Sequence, residues 1–363
     1  MGRYAPWLCI ALLALALAGA CREPAVAPAP AATGSGPPRA FAMGISSLPP
    51  ELTGDSYAAT FELAAAAGEV ILIQRTPPWN ELLAGSISQE TAQTTQREVE
   101  LADDNGLALF VAIDPTDPSL GRSELAGLPP ELRGAGFADE RIAQAFVAYA
   151  DYVAQNYRPA YLGLGVEINT YERHQPEDFG SFVSAYNEAY DSVKQLSPGT
   201  LVFPIFQFEE LQGLLAQDDG EALPQWDLIR LFDTKMDLLA VSSYPSTIFT
   251  AADEIPFTYY TQLAAYTNRR VVIAGMGYAS SGEGVSAGGE EEQGKFLTRA
   301  LDAAQRLSMP LVVWFAGQDL TYTGQPPFDR IQHLGLRRQD GSPKASWLIW
   351  EAASQRPLAD AEP

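Results

Sequence analysis

Eight short apolar runs recur along the chain from Phe41 onward, each separated from the next by enough residues for a helix. They are Phe41–Ile45, Val70–Gln74, Ala108–Ile113, Tyr161–Val166, Leu201–Phe206, Leu238–Ser242, Val271–Ala274 and Leu311–Phe315. Each is apolar on both faces, as a strand must be in a covered parallel sheet. The intervening stretches carry helical periodicity. Ile142, Phe146, Tyr149, Val153 and Tyr157 fall on one helical face, and Phe179, Phe182, Val183, Tyr186, Tyr190 and Val193 do so after Pro176, a residue suited to a helix start. Lys295 to Leu307 and Ser346 to Ala353 give two further helices. Repeated β-then-α units predict an α/β fold, a single (β/α)8 TIM barrel spanning 41–355. The rival is an open doubly wound sheet. It would carry a glycine-rich phosphate turn after its first strand, and neither that turn nor a P-loop follows Phe41–Ile45.

The N-terminus reads as an address. Arg3 precedes an unbroken apolar run, Trp7 to Ala18, which is too short to span a bilayer comfortably. Leu17-Ala18-Gly19-Ala20-Cys21 resembles a bacterial lipobox, which implies a signal peptide over 1–20 and lipidation of Cys21. Arg22 follows, where an Asp would favour inner-membrane retention, so the expectation is a lipid-anchored protein of the bacterial envelope, at the outer membrane. Residues 21–40, rich in Pro, Ala and Gly, form a semi-extended tether, and 356–363 a C-terminal tail. Membrane contact is expected through the lipid alone.

Composition removes whole classes of function. The formal charge of -22 leaves no basic face for nucleic acid. Both cysteines, Cys9 and Cys21, precede the folded body, so the body has no disulfide and no cysteine nucleophile. His174 and His333 are the only histidines, which excludes a multi-histidine metal centre, and no cofactor is expected.

In a (β/α)8 barrel the chemistry sits where the strands end. Those positions hold Gln74, Arg75 and Trp79, then Asp114, Glu167 and Asn169, then Gln207, Tyr244, Gly275 and Tyr278, and finally Trp314 and Asp319. Polar groups interleaved with flat rings suit a sugar, whose hydroxyls seek hydrogen bonds and whose C–H faces stack on aromatics. The expected partner is therefore an oligosaccharide or polysaccharide.

Several segments resemble the clan of (β/α)8 glycoside hydrolases with one catalytic Glu after strand four and another after strand seven. Gly165-Val166-Glu167-Ile168-Asn169 is similar to the Gly-Asn-Glu-Ile-Asn of family 53 endo-galactanases. Asp237 to Pro245 resembles the clan's strand six, Val271 to Ser280 its strand seven, and Gly335 to Ala345 its closing phrase. The resemblance implies Glu167 as acid/base, while strand-end position makes Arg75, Trp79, Asn169, Gln207, Tyr244, Tyr278, Trp314 and Asp319 the candidate sugar contacts, with Trp79 and Trp314 stacking. It also implies a departure. The nucleophile's position falls on Gly275, and the Asn before the strand-four Glu is Val166. Retaining hydrolysis needs two carboxyls about 5–5.5 Å apart, and glycine offers none. Substitute carboxylates could come from Asp319, Glu209, Glu210, Glu283 or Glu290–Glu292, the last four in a solvated loop. The leading expectation is a glycan-recognising barrel without classical retaining hydrolysis. The alternatives are an active endo-β-glycosidase with a relocated carboxylate, and an envelope scaffold. The bland reading of Glu167 is a rim carboxylate paired with Arg75.

Overall fold

The computed structural model describes residues 36–215, 222–282, 288–322 and 328–359. The signal segment, Cys21, most of the expected tether, Glu283 and the last residues of the tail lie outside the described residues. Among the described residues there are nine strands: β1 (Ala42–Ser46), β2 (Val70–Arg75), β3 (Ala108–Ile113), β4 (Tyr161–Leu164), β5 (Leu201–Phe203), β6 (Ile205–Gln207), β7 (Leu239–Ser243), β8 (Val271–Met276) and β9 (Leu311–Trp314). Every neighbouring pair is parallel, in the order β5-β4-β3-β2-β1-β9-β8-β7-β6.

The two ends of that order, β5 and β6, are consecutive in the chain and separated only by Pro204. Proline has no N–H to give a ladder and bends the strand that contains it. The expected strand Leu201–Phe206 is thus one strand cut by Pro204, its first half paired with β4 and its second with β7. The ring closes there, which settles the choice between barrel and open sheet in favour of a single TIM barrel.

Helices α1 (Gly54–Ala66), α2 (Trp79–Leu83), α3 (Gln89–Asp104), α4 (Glu140–Asn156), α5 (Ile168–His174), α6 (Pro176–Leu196), α7 (Phe208–Leu211), α8 (Glu290–Arg306) and α9 (Ala345–Ser354) are joined by short 3-10 turns. The apolar stripes do what their spacing requires. Ile142, Phe146, Tyr149 and Val153 of α4 are buried, as are Phe179, Phe182, Tyr186 and Val193 of α6. The two helices meet through Phe146 and Phe182, ring centroids 6.1 Å apart. Helix α8 begins five residues before the expected Lys295, so Glu290–Glu292 form its first turn rather than a solvated loop. Negative charge suits a helix N-terminus, where unpaired N–H groups gather.

The barrel floor is sealed by Arg39. It is buried, pairs with Glu69 and donates to Phe41 O at 2.6 Å. Its backbone N–H donates to Pro357 O and its carbonyl accepts from Ala359, each at 2.8 Å, so the segments just outside 41–355 lie against the floor together.

Candidate active site

At the opposite end, where the strands finish, a cavity of about 410 Å³ opens. The chain leaves β4 through Gly165, whose φ of +99° lies in the region that favours glycine. A Cβ there would stand 2.6 Å from Ile168 Cγ2 and 2.9 Å from Phe182 Cζ, so sterics add a second reason for glycine. Two residues later Glu167 caps α5 in the left-handed region, at φ 51°. A non-glycine residue held there costs about 1–2 kcal/mol. Its partner Arg122 is held the same way, at φ 61°. Both strained residues face the cavity.

Glu167 Oε2 accepts from Arg122 Nε at 2.7 Å, and Oε1 accepts from Ser242 Oγ at 2.8 Å. Arg122 Nη1 donates to Asp114 Oδ1 and to Thr116 Oγ1, both at 2.8 Å. Asp114 Oδ2 accepts from Gln74 Nε2 at 2.7 Å. One connected network therefore joins the ends of β2, β3, β4 and β7. Burial pushes the Asp114 carboxyl above its ordinary value despite the guanidinium beside it. Burial alone would lower the Arg122 pKa, but Asp114 and Glu167 raise it further than burial lowers it, so its charge is fixed.

Gly275 lines the same cavity as Glu167. Strand β8 carries one extra residue here: Val241 pairs with Ile273 but Ser242 pairs with Gly275, and the register against β9 shifts over the same stretch. Such a bulge re-aims side chains at a barrel rim. It explains why Ala274 and Gly275, adjacent in sequence, both line the cavity. A Cβ on Gly275 would meet Tyr244 Oη at 3.5 Å and Phe315 Cδ2 at 3.6 Å, which is ordinary contact. Burial, then the nearby Glu167 charge, drives the Tyr244 phenol well above its ordinary pKa.

Of the expected contacts, Glu167, Gly275, Gln207 and Tyr244 line this cavity; the other six do not. Arg75 pairs with Glu98 of α3 and donates to Tyr57, so it is not the partner of Glu167. Trp79 is buried and donates to Ala126 O at 2.8 Å. Trp314 is buried between Phe296 and Trp350 and donates to Leu334 O at 2.7 Å. Neither indole is open to a sugar face. Tyr278 is buried and donates toward Thr250 O at 2.9 Å. Asn169 splices α5 to β6, accepting from Gln207 N at 2.7 Å and donating to Gln207 O at 3.1 Å. Asp319 pairs with buried Lys344 at 2.7 Å and accepts from Gly335 N at 2.9 Å.

The physical reason is the two-residue period of a strand. Gln74 points into the barrel and Arg75 outward to the helices; Phe315 lines the cavity and Trp314 packs outward. A strand end gives the height of a residue but not its side. The suggested substitute carboxylates among the described residues are likewise committed elsewhere. Glu209 is fully buried and accepts from Tyr259 Oη and Ser243 Oγ, each at 2.7 Å, with burial raising its pKa. Glu210 holds Thr170 and Arg173, and Glu290 holds Arg338. Among the described residues lining the cavity, Glu167 is the one carboxylate. Arg122 was invisible to strand-end reading because it lies deep in the long β3–α4 connection, nine residues beyond Ile113.

The fold is that of (β/α)8 barrels from glycoside hydrolases. A GH5_18 protein from Streptomyces cattleya, solved with GlcNAc, superposes with a TM-score of 0.66 at 17% identity, covering 88% of this chain and 80% of that one. An exo-β-1,4-mannosidase from Opitutaceae bacterium strain TAV5 gives 0.66 at 13% identity, covering 87% of this chain and 60% of that one. A family 39 glycoside hydrolase from Bacteroides cellulosilyticus WH2 gives 0.57 at 17% identity, covering 86% and 63%. No protein-family profile and no curated protein matches the sequence. At these identities the likeness establishes the architecture alone.

Proposed function

We propose that this protein is an envelope lipoprotein whose barrel binds a glycan and does not hydrolyse it by the two-carboxylate route. The observation that carries this reading is Glu167 facing a cavity in which Gly275 stands where the resembling clan has its nucleophile. The retained carboxylate is held by Arg122 and Ser242, an arrangement suited to orienting a ligand hydroxyl. A covalent intermediate has no side chain to form on, which removes on the order of 4–8 kcal/mol of barrier lowering. The lipid at Cys21 and the tether would hold the barrel at the membrane surface.

Because a GH5_18 barrel from Bifidobacterium longum was solved with Manβ1-4GlcNAc, that disaccharide is the first probe, followed by a glycan array. Binding with no release of a reducing end is the expected result. Gly275→Glu then places a second carboxyl across the cavity from Glu167, and should hydrolyse 4-nitrophenyl β-D-mannopyranoside with retention of configuration. Robust wild-type hydrolysis that survives Glu167→Gln would sink the reading.

A further inference from the structure

The wall of the cavity bears on which part of a ligand sits deepest. Leu72, Val166, Ile205, Ala274, Phe315 and Leu334 present apolar surface there, from β2, β6 and β8, the residues just past β4 and β9, and the closing loop. The polar side chains between them are largely engaged with protein. Each Glu167 oxygen already accepts one hydrogen bond, from Arg122 Nε or Ser242 Oγ, and Gln74 Nε2 donates to Asp114. Gln207 donates to Glu209 and accepts from Glu210 N, each at 2.6 Å. Ser246 Oγ accepts from Ala279 N at 3.1 Å, and Thr247 Oγ1 donates to Tyr244 O at 2.8 Å. Among the described residues lining the cavity, the side-chain polar atoms left without a hydrogen bond to protein are Tyr244 Oη, Arg122 Nη2 and Gln74 Oε1.

A bare sugar carries hydroxyls around its whole rim, and each one buried without a partner is penalised. Three free polar atoms cannot satisfy every hydroxyl of a fully buried pyranose, each of which both donates and accepts. The volume, about 410 Å³, far exceeds the roughly 150 Å³ of an apolar cavity that holds a benzene ring. We propose that the cavity seats the apolar aglycone of an amphiphilic glycoside, an aryl or alkyl group, while the sugar meets Tyr244 and Arg122. This rests on the glycan reading above and names the ligand class for the same site.

The test is calorimetric titration of the full chain in lipid nanodiscs, with empty nanodiscs as the blank. The probes are methyl β-D-mannopyranoside, phenyl β-D-mannopyranoside and benzyl alcohol. Burying one ring predicts that the phenyl glycoside binds about 10- to 100-fold more tightly than the methyl glycoside. Phe315→Ala should cut that preference below about fivefold. Equal affinity for the two glycosides in the wild type overturns the apolar seat and leaves glycan binding standing. Binding of benzyl alcohol with neither glycoside overturns the glycan reading, and the amphiphile with it. Silence with all three overturns both. The wild-type comparison decides even if Phe315→Ala fails to fold.

Discussion

Replacing Arg122 by Met should destabilise the barrel by about 3–5 kcal/mol near neutral pH. The guanidinium bridges Asp114 and Glu167, and the side chains of Arg122 and Asp114 are only 8% and 5% exposed. Methionine keeps the aliphatic reach but leaves Asp114 as a buried carboxylate with no cation. That loss is a large part of the roughly 5–15 kcal/mol that holds a domain folded. It should depend on pH with a definite sign. Burial already raises the folded-state pKa of Asp114 above its ordinary value, and removing Arg122 raises it further. A carboxyl with a raised folded pKa favours folding while it is protonated, and that contribution is lost as pH rises through the raised value. The deficit of Arg122→Met is therefore largest around neutrality and shrinks as pH falls through the Asp114 titration. Urea unfolding of both proteins at about pH 7.5 and about pH 4.5 measures it. Adding Asp114→Asn to the variant should recover part of the loss at neutral pH, with a coupling of about 0.5–3 kcal/mol. A deficit below about 1 kcal/mol, or one equal at the two pH values, would refute the assignment of Arg122 as the charge that keeps Asp114 buried.

Trp314→Ala should cost about 3–5 kcal/mol of stability, because the indole is core between α8 and α9. Ligand affinity per folded molecule should not change, and a selective affinity loss would return Trp314 to the cleft. Glu167→Gln removes one charge from the cavity but keeps one acceptor oxygen for Arg122 and turns an NH2 toward Ser242 Oγ, which can accept, so the fold should survive with a shift in unfolding of about 1–3 kcal/mol. Complete loss of folding would make Glu167 primarily structural. Cys21→Ser should abolish acyl modification, which intact-mass spectrometry reads directly; an unmodified wild-type Cys21 would end the lipoprotein reading.

Much of the architecture was legible in the chain alone. All eight apolar runs became barrel strands, because a strand covered on both sides must be apolar throughout whatever its neighbours are. The helical stripes of α4 and α6 likewise follow from a local period. Glu167, Gly275, Gln207 and Tyr244, named from strand-end position, do line the cavity. The other named residues lie away from it, because the strand period flips the side chain at every residue. Gln74 and Arg75, or Trp314 and Phe315, differ by one position and by the whole thickness of the barrel wall. Only the closed sheet decides which of each pair faces inward. It also decides the bulge that turns both Ala274 and Gly275 toward the cavity, since a register shift exists only relative to neighbouring strands. Arg122 reaches Glu167 across 45 residues of chain, and no local pattern encodes that contact. Local periodicity determines which segments are buried; the tertiary fold alone determines which buried groups share a site.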